Sequence, residues 1–259
     1  MRLIVNLYGW VAREALFRAA KAWPVALATI AYALIFELVG RLVAPLGLAA
    51  GFILGFIEAG CIASYLYLLS RAVQGSRLKL EDLKQSFGAF FWDVIGVLFF
   101  LWIAGWVVEF VERMAGDHGA FIAAAYGLAV AVFLNPVPEL IYLGRGRGRT
   151  TDLLLESGRF VQTHWMEWFL PNLLFGVALL ALALGRSAFN FETLSQTLPG
   201  LFSLQTGYSL GNSLVSFSEL WAWPLVLALV HYAMVFRGLL FQEITGGNWK
   251  VRAFRARTR

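Results

Sequence analysis

Six apolar runs, each of roughly twenty residues, constrain the fold of this chain more than any other feature. They cover residues 24–43, 46–70, 90–111, 120–143, 168–185 and 220–241. A helix of about 20 apolar residues is about 30 Å long, which matches the hydrocarbon core of a bilayer. The sequence therefore predicts an all-α membrane protein with six transmembrane helices.

The overall composition agrees with a lipid environment. Charged residues make up 14 % of the 259 residues and the mean hydropathy is +0.69, whereas about a quarter of a soluble domain is charged. Little chain is left over for a soluble domain, so residues 1–259 are predicted to be a single membrane domain. Cys61 is the only cysteine, which excludes an internal disulfide or a cysteine-based metal cluster. We expect no metal and no cofactor.

The positions of Lys and Arg predict the orientation in the membrane. They are concentrated in the N-terminal segment, in the second and fourth connections, and at the C-terminal end, which includes Arg237 and the basic tail 247–259. Basic connections lie on the cytoplasmic side, so both termini are expected there, in a bacterial inner membrane. Residues 186–218 are then the one long outer loop. This alternating distribution indicates a membrane rather than a nucleic acid as the reason for the net charge of +5.

A polar-faced helical segment precedes three of the runs, at residues 1–23, 80–91 and 150–165. Each has an acid about nine residues before a tryptophan: Glu14 and Trp23, Asp82 and Trp92, Glu156 and Trp165. In the second segment, Leu83 and Phe87 share a helical face, and Asp82 is expected to face water. We predict three helical hairpins, each preceded by a cytoplasmic amphipathic helix that lies at the membrane surface.

Two ionisable residues lie near the middle of predicted spans, Glu58 in the second and His231 in the sixth. A charged acid at mid-bilayer costs about 2.5–3.5 kcal/mol, so it normally faces a partner or a wet cavity. If the two residues face each other, they can relay a proton or bind a polar headgroup. The alternative is that each is neutral and hydrogen-bonded, and only fixes the helix register.

The fourth run contains the sequence Asn135-Pro-Val-Pro-Glu139. Two prolines remove backbone donors and crowd the preceding turn, so this helix is expected to bend or open. Asn135 and Glu139 then either line a polar cavity, as broken helices do in transporters, or belong to a kink whose backbone groups are satisfied by neighbouring side chains.

Several smaller patterns have a structural interpretation. Gly47, Gly51 and Gly55 are spaced for close helix packing, and Glu37 and Arg41 for a helical ion pair. The string Gly207–Gly211 matches a nucleophile elbow but lies in the predicted outer loop rather than in an α/β sheet, so a hydrolase is not favoured. Five arginines are expected to contact anionic lipid headgroups: Arg145, Arg147, Arg149, Arg252 and Arg255.

The run from Gly60 to Leu69, followed by Gly75 and then by Leu83 with Phe87, resembles the YciC-like bacterial inner-membrane proteins. It is also similar to the membrane domains attached to some glycerophosphodiester phosphodiesterases. The resemblance implies a six-helix bundle and assigns no catalytic residue.

The sequence features favour a non-enzymatic scaffold or accessory subunit of a membrane complex. Its expected partners are the bilayer with its anionic headgroups, and a protein bound in the membrane or at the cytoplasmic face. The alternative is a transport component, similar to an ABC-exporter permease subunit, that moves a polar or lipid-like substrate. An enzyme acting on lipid is the third possibility.

Overall fold

The computed structural model describes residues 2–144, 148–184 and 223–246. The described residues are predominantly helical, and none of them belongs to a β-strand. Four helices are long and apolar enough to cross a membrane: Pro24–Leu46, Leu48–Val73, Phe91–Met114 and Pro224–Thr245. The predicted all-α class is confirmed, and four of the six predicted spans coincide with these helices.

In chain order the helices are α1 (Arg2–Lys21), α2 (Pro24–Val43), α3 (Leu48–Val73), α4 (Leu80–Ala89), α5 (Phe91–Met114), α6 (Gly119–Phe133), α7 (Val137–Tyr142), α8 (Thr150–Leu184) and α9 (Trp223–Thr245). A 3-10 turn at Ala44–Leu46 joins α2 to α3. Gly47 follows it with φ of +59°, a backbone conformation that glycine adopts without steric cost. The reversal between these two helices is therefore tight.

The other two predicted spans take a different form. Residues 120–143 are divided between α6 and α7, and residues 168–185 correspond to the second part of the long helix α8. A bend at His164, where φ is −126° and ψ is 19°, separates that second part from the predicted surface segment. The predicted outer loop 186–218 and the tail 247–259 lie outside the described residues.

Two of the three predicted surface helices meet the helix after them at a bend. Phe90, between α4 and α5, has φ of −125° and ψ of 15°, which is nearly the conformation of His164 in α8. Residues 22 and 23 join α1 to α2. The tryptophans at the three junctions are exposed, at 59 %, 77 % and 58 % for Trp23, Trp92 and Trp165. The repeated sequence pattern therefore has a counterpart in the backbone at Phe90 and His164.

The helices pack tightly at one end of the bundle and loosely at the other. Helix α3 lies at the centre and contacts α1, α2, α4, α5, α7 and α9. Its buried residues lie almost entirely between Ala59 and Val73. The buried residues of α2 lie between Val25 and Ala33, and those of α5 are Val94 and Val97. Because α2 and α5 begin where α3 ends, these residues share one end, which we call the packed end.

At the opposite, open end, large apolar side chains are exposed on α2, α3 and α5. Leu42 is 69 % exposed, Leu48 is 92 % exposed and Trp106 is 64 % exposed. Gly51 and Gly55 also lie at this end, and none of the described helices makes the predicted close approach to them. No described atom lies within 4 Å of the position that a Cβ would occupy at either glycine. Helix α3 packs instead through its second half.

One part of the prediction for helix α4 is wrong: Asp82 was expected to face water, and it is buried. Asp82 and Ser86 are buried, at 6 % and 0 % exposure, whereas Leu83 and Phe87 are 37 % and 45 % exposed. The Asp82 carboxylate accepts a hydrogen bond from the backbone N–H of Lys79, and the Ser86 hydroxyl contacts that of Ser64 on α3. Small polar side chains let α4 lie close to α3, so its apolar face points outward.

Helix α1 has the predicted amphipathic pattern, but protein covers its apolar face. Val11, Ala15 and Ala19 are buried, and the helix packs mainly against α9. On the other side, Arg13 is exposed and Phe17 is 70 % exposed. The first surface helix is thus part of the packed end rather than an element held only by lipid.

Two exposed ion pairs lie at the open end. The predicted pair of Glu37 and Arg41 on α2 is confirmed, with 2.8 Å between the carboxylate and guanidinium groups. Glu109 and Arg113 form the same pair four residues apart on α5. Both pairs are more than half exposed, and pairs of this kind contribute only about 0.3–0.5 kcal/mol.

Candidate functional site

The candidate site is built around the break between α6 and α7. Helix α6 ends at Phe133 and α7 begins at Val137, because Pro136 and Pro138 have no backbone N–H to continue the helical hydrogen bonds. Within the break, the N–H of Val137 reaches only the carbonyl of Leu134, at 3.1 Å. The carbonyls of Phe133 and Asn135 are left to find other donors, since buried carbonyls in native proteins are almost always paired.

Side chains from two other helices supply those donors. The Ser157 hydroxyl of α8 donates to the Phe133 carbonyl at 2.6 Å. A terminal nitrogen of Arg237 on α9 donates to the Asn135 carbonyl at 2.7 Å. The break is therefore satisfied within the chain, which is the second of the two arrangements that the sequence left open.

The same arginine forms a buried ion pair with Glu139. Arg237 Nε lies 2.9 Å from Glu139 Oε1, and Nη2 lies 3.0 Å from Oε2. Arg237 is 1 % exposed and Glu139 is 0 % exposed. This two-point geometry is the strong form of an arginine–carboxylate contact, and pairing is what makes two buried charges tolerable.

Trp168 of α8 contacts both Asn135 and the Arg237 guanidinium group. Its indole N–H donates to the side-chain oxygen of Asn135 at 2.7 Å, and its ring centroid lies 5.1 Å from the guanidinium carbon of Arg237. The Asn172 amide donates to the Trp168 carbonyl at 2.7 Å. The tryptophan ring thus adds a cation–π contact. We call Asn135, Glu139, Trp168, Asn172 and Arg237 the interior cluster.

The backbone of α9 approaches α7 closely beside the interior cluster. A Cβ at Gly238 would lie 2.6 Å from a methyl of Val73 and would also overlap the Tyr142 hydroxyl. Tyr142 is 3 % exposed, and its hydroxyl has no hydrogen-bond partner among the described residues. Glycine is therefore required at 238 for α3, α7 and α9 to meet at the level of the ion pair.

The structure brings two of the four predicted intramembrane polar residues together and separates the other two. Asn135 and Glu139 both bind Arg237. His231 is buried on α9, and its Nε2–H donates to the Ala19 carbonyl of α1 at 3.2 Å. Glu58 is half-buried on α3. His231 therefore fastens α1 to α9 and is not paired with Glu58.

Two tyrosines also fasten α1 to the bundle through backbone carbonyls. The Tyr232 hydroxyl donates to Ala12 at 3.2 Å, and the Tyr8 hydroxyl donates to Glu167 at 2.9 Å. Burial, together with the nearby Glu167 carboxylate, raises the pKa of Tyr8 to about 12. The neutral phenol, which can donate, is thus the stable form over the physiological range.

Among the predicted headgroup arginines, Arg149 is exposed at the start of α8. Its backbone N–H donates to Asp152 at 3.3 Å. Arg145, Arg147, Arg252 and Arg255 lie outside the described residues, as does the string 207–211. Within the described ranges, no group of three or more His, Cys, Asp or Glu side chains could hold a metal ion.

Arg237, which the sequence analysis grouped with the basic C-terminal end, is buried in the ion pair with Glu139, and Trp168 was not predicted as part of any site. Arg237 follows an apolar run and precedes the basic tail, so the positive-inside pattern includes it by position. One signal could have found it: Leu239, Leu240 and Phe241 continue the apolar run after it. An arginine enclosed by a span needs an acid, and Glu139 is the acid next to the predicted break.

Comparisons of the chain with protein-family models, with curated proteins and with solved structures each find no match. The resemblance to YciC-like proteins stays a prediction, and the function is argued below from the geometry of the chain.

Proposed function

We propose that this chain is a non-enzymatic integral protein of a bacterial inner membrane that serves as a scaffold or accessory subunit of a membrane complex. It has six spans arranged as three hairpins, and both termini are cytoplasmic. The observation that carries the proposal is the interior cluster, in which Arg237 pairs with Glu139 and also donates to the freed carbonyl of Asn135. Such an interior stabilises one arrangement of helices, as a scaffold requires.

The packing of the helices supports six spans. Helices α2 and α3, α5 and α6, and α8 and α9 pack against each other in pairs. Residues 165–184 of α8 number about 20, so this stretch is about 30 Å long at 1.5 Å per residue. Residues 119–142 consist of α6 and α7 with a break between them. We assign the two spans beyond the four long apolar helices to these two stretches.

The orientation has a direct test. A phosphatase fused to the C-terminus and active only outside the cytoplasm is expected to be inactive, because the basic C-terminal end should stay inside. The same enzyme fused after Met114, at the end of α5, is expected to be active. Activity at the C-terminus would overturn the orientation.

The scaffold function is tested by identifying the proteins that co-purify with this chain. We expect purification in mild detergent, followed by native mass spectrometry, to show a different protein bound at a fixed ratio. The partner should remain at high salt, because contacts within lipid are screened little. Recovery of this chain alone, or only with further copies of itself, would contradict the proposal.

A transport component is the second candidate, and the break between α6 and α7 favours it, since broken helices surround substrate sites in transporters. The two functions differ in whether water reaches the break. Val137 is 1 % exposed, so a scaffold predicts no reaction of Val137→Cys with a membrane-impermeant maleimide, in a Cys61→Ala background. A transport pathway at the break predicts labelling that substrate or inhibitor changes.

A further inference from the structure

The Tyr142 hydroxyl is a buried polar group that the contacts within the described residues do not satisfy. Tyr142 is 3 % exposed, and no described residue donates to its hydroxyl or accepts from it. A phenol in water both donates and accepts hydrogen bonds, so burying it without a partner costs free energy. Buried hydroxyl groups in native proteins are therefore nearly always bonded, either to protein or to an ordered water.

Tyr32 of α2 shows how protein satisfies the same group elsewhere in the bundle. It is also 3 % exposed, and its hydroxyl lies 2.5 Å from the Ser64 hydroxyl of α3. Ser64 in turn contacts the Ser86 hydroxyl of α4. The two tyrosines are thus equally buried, but of the two it is Tyr32 that reaches a described side chain able to bond its hydroxyl.

The surroundings of Tyr142 are polar on two sides. Glu139 precedes it by three residues on α7, so the two side chains lie on the same helical face. On α3 the Tyr65 side chain is buried as well, and the charges of Glu139 and Arg237 act on both phenols. The Tyr142 hydroxyl also lies against the backbone of α9 at Gly238, next to Arg237. Two phenols and one carboxylate therefore lie together beside the ion pair.

The carboxylate of Glu139 has capacity for a further hydrogen bond. Each carboxylate oxygen can accept two hydrogen bonds, and the printed geometry gives Oε1 to Nε of Arg237 and Oε2 to Nη2. Because the pair carries no net charge, a neutral ligand is favoured over an ion. The space is narrow, since a methyl group at Gly238 would overlap both Val73 and the Tyr142 hydroxyl. Water is the neutral donor and acceptor that suits so small a site.

We propose that Tyr142, Tyr65 and Glu139 bind one buried water molecule beside the ion pair. The water accepts the hydroxyl hydrogen of Tyr142 and donates its own two hydrogens to the Glu139 carboxylate and the Tyr65 oxygen. It thus has three protein partners, which is typical of a buried water. The water joins α7 to α3 at the level where α9 carries Arg237, and it extends the hydrogen bonds of the interior cluster towards the end of α7.

The water site does not depend on which of the two candidate functions is correct. One water held at three points is a structural component of a packed interior, and it gives a maleimide no path to Val137. A continuous line of water would belong to a transport pathway instead, and the labelling of Val137→Cys detects that case separately.

Radiolytic footprinting of the unmodified chain in lipid nanodiscs tests the site. Hydroxyl radicals formed from a bound water oxidise the side chains that touch it, and mass spectrometry locates the oxidised residues. We expect Tyr142 to be oxidised at least about tenfold faster than Tyr32, because a buried water touches only the first of these equally buried rings. Equal rates at the two tyrosines would overturn the inference.

Removing only the hydroxyl gives a second readout, whose sign distinguishes a bound water from an unsatisfied group. If the hydroxyl holds a water, Tyr142→Phe loses that hydrogen bond, and the thermal midpoint in detergent should fall by about 2–4 °C. A hydroxyl buried without any partner predicts a rise, because phenylalanine removes a desolvated polar atom. A rise, or an unchanged midpoint, would therefore contradict the inference.

The neighbouring phenol reports whether the water itself is lost. Tyr142→Phe should lower the radiolytic oxidation of Tyr65 at least about threefold, because the water loses one of its three partners. Tyr32→Phe is the matched control, since it removes a hydroxyl that is bonded to protein, and it should leave Tyr65 oxidation unchanged. Oxidation of Tyr65 that is equal in the two variants would contradict the shared site.

Discussion

The packed end and the open end of the bundle each contain arginine–glutamate ion pairs, but the pairs differ in burial and in what they connect. Arg237 and Glu139 are joined at two points and are almost completely buried, across 98 residues of chain. Glu109 and Arg113 are one helical turn apart, with side chains 56 % and 75 % exposed. The first pair joins two helices, α7 and α9, whereas both members of the second pair lie on α5 and connect it to no other helix.

The largest difference between the two ends should appear when one acid of each pair is removed. Glu139→Ala leaves the Arg237 charge buried, and we expect a loss of about 3–5 kcal/mol in unfolding free energy. Glu109→Ala, at the exposed pair, should cost less than about 1 kcal/mol. Unfolding by titration with a denaturing detergent measures both. Similar losses for the two variants would remove the distinction between the two ends.

The charges themselves, rather than the space they fill, should account for most of that loss. The double variant Glu139→Leu with Arg237→Met removes both charges and keeps apolar volume, so it should recover most of the stability of the original protein. Recovery should stay incomplete, because the Asn135 carbonyl loses the Arg237 donor. Full recovery would show that this carbonyl contact contributes nothing.

Replacing one glycine at the packed end and one on α5 should change the stability by an intermediate amount, with opposite signs. Gly238→Ala forces a methyl group against Val73 and Tyr142, and such overpacking costs about 1–3 kcal/mol. Gly105→Ala on α5 meets no described atom within 4 Å and should stabilise the helix by about 0.5–1 kcal/mol. Thermal unfolding in detergent should therefore shift in opposite directions. Shifts of the same sign would contradict the packing difference.

The smallest expected effect concerns the attachment of α1 to the packed end. Tyr8→Phe removes the hydrogen bond to the Glu167 carbonyl, at a cost of about 0.5–1.5 kcal/mol. The pKa of Tyr8 is raised from 10.0 to about 12, first by burial and then by Glu167. Because the folded state holds this proton more tightly, its contribution is complete below pH 10.0 and is lost as the pH rises towards 12.

Unfolding measured between pH 9 and pH 12 should therefore show a loss of stability in the original protein that is smaller in Tyr8→Phe. Tyr232→Phe provides a matched control, because it removes another hydrogen bond to α1, at Ala12. The control should retain the pH-dependent step that comes from Tyr8. An identical pH profile in Tyr8→Phe and the original protein would contradict the role given to this phenol.

Local sequence patterns predicted the features that depend on local chemistry. The apolar runs gave the all-α class, the two prolines gave the break after Phe133, and the spacing of Glu37 and Arg41 gave their ion pair. Asn135 and Glu139 were recognised as candidates because they flank the two prolines, which free backbone carbonyls that need partners. In each case the cause lies within a few residues of its effect.

The features that the sequence analysis missed depend on contacts between distant segments. The partner of Glu139 is Arg237, which simple position assigned to the cytoplasmic charges. Asp82 of α4 was expected to face water, but α4 packs on α3 through Asp82 and Ser86, and the Ser86 hydroxyl contacts that of Ser64. The spacing of Gly51 and Gly55 could not show that the helix packs only through its second half. Periodicity gives the faces of a helix; tertiary contacts decide what covers each face.

The distance along the chain between Glu139 and Arg237 has a consequence for biosynthesis. At about 5–20 residues per second, a ribosome needs about 5–20 s to make the intervening segment. During that interval α7 exists without the guanidinium group that later neutralises its carboxylate and caps Asn135. The interior cluster is therefore completed only when α9 has been made, and a nascent chain that stops before residue 237 leaves the Glu139 carboxylate without this partner.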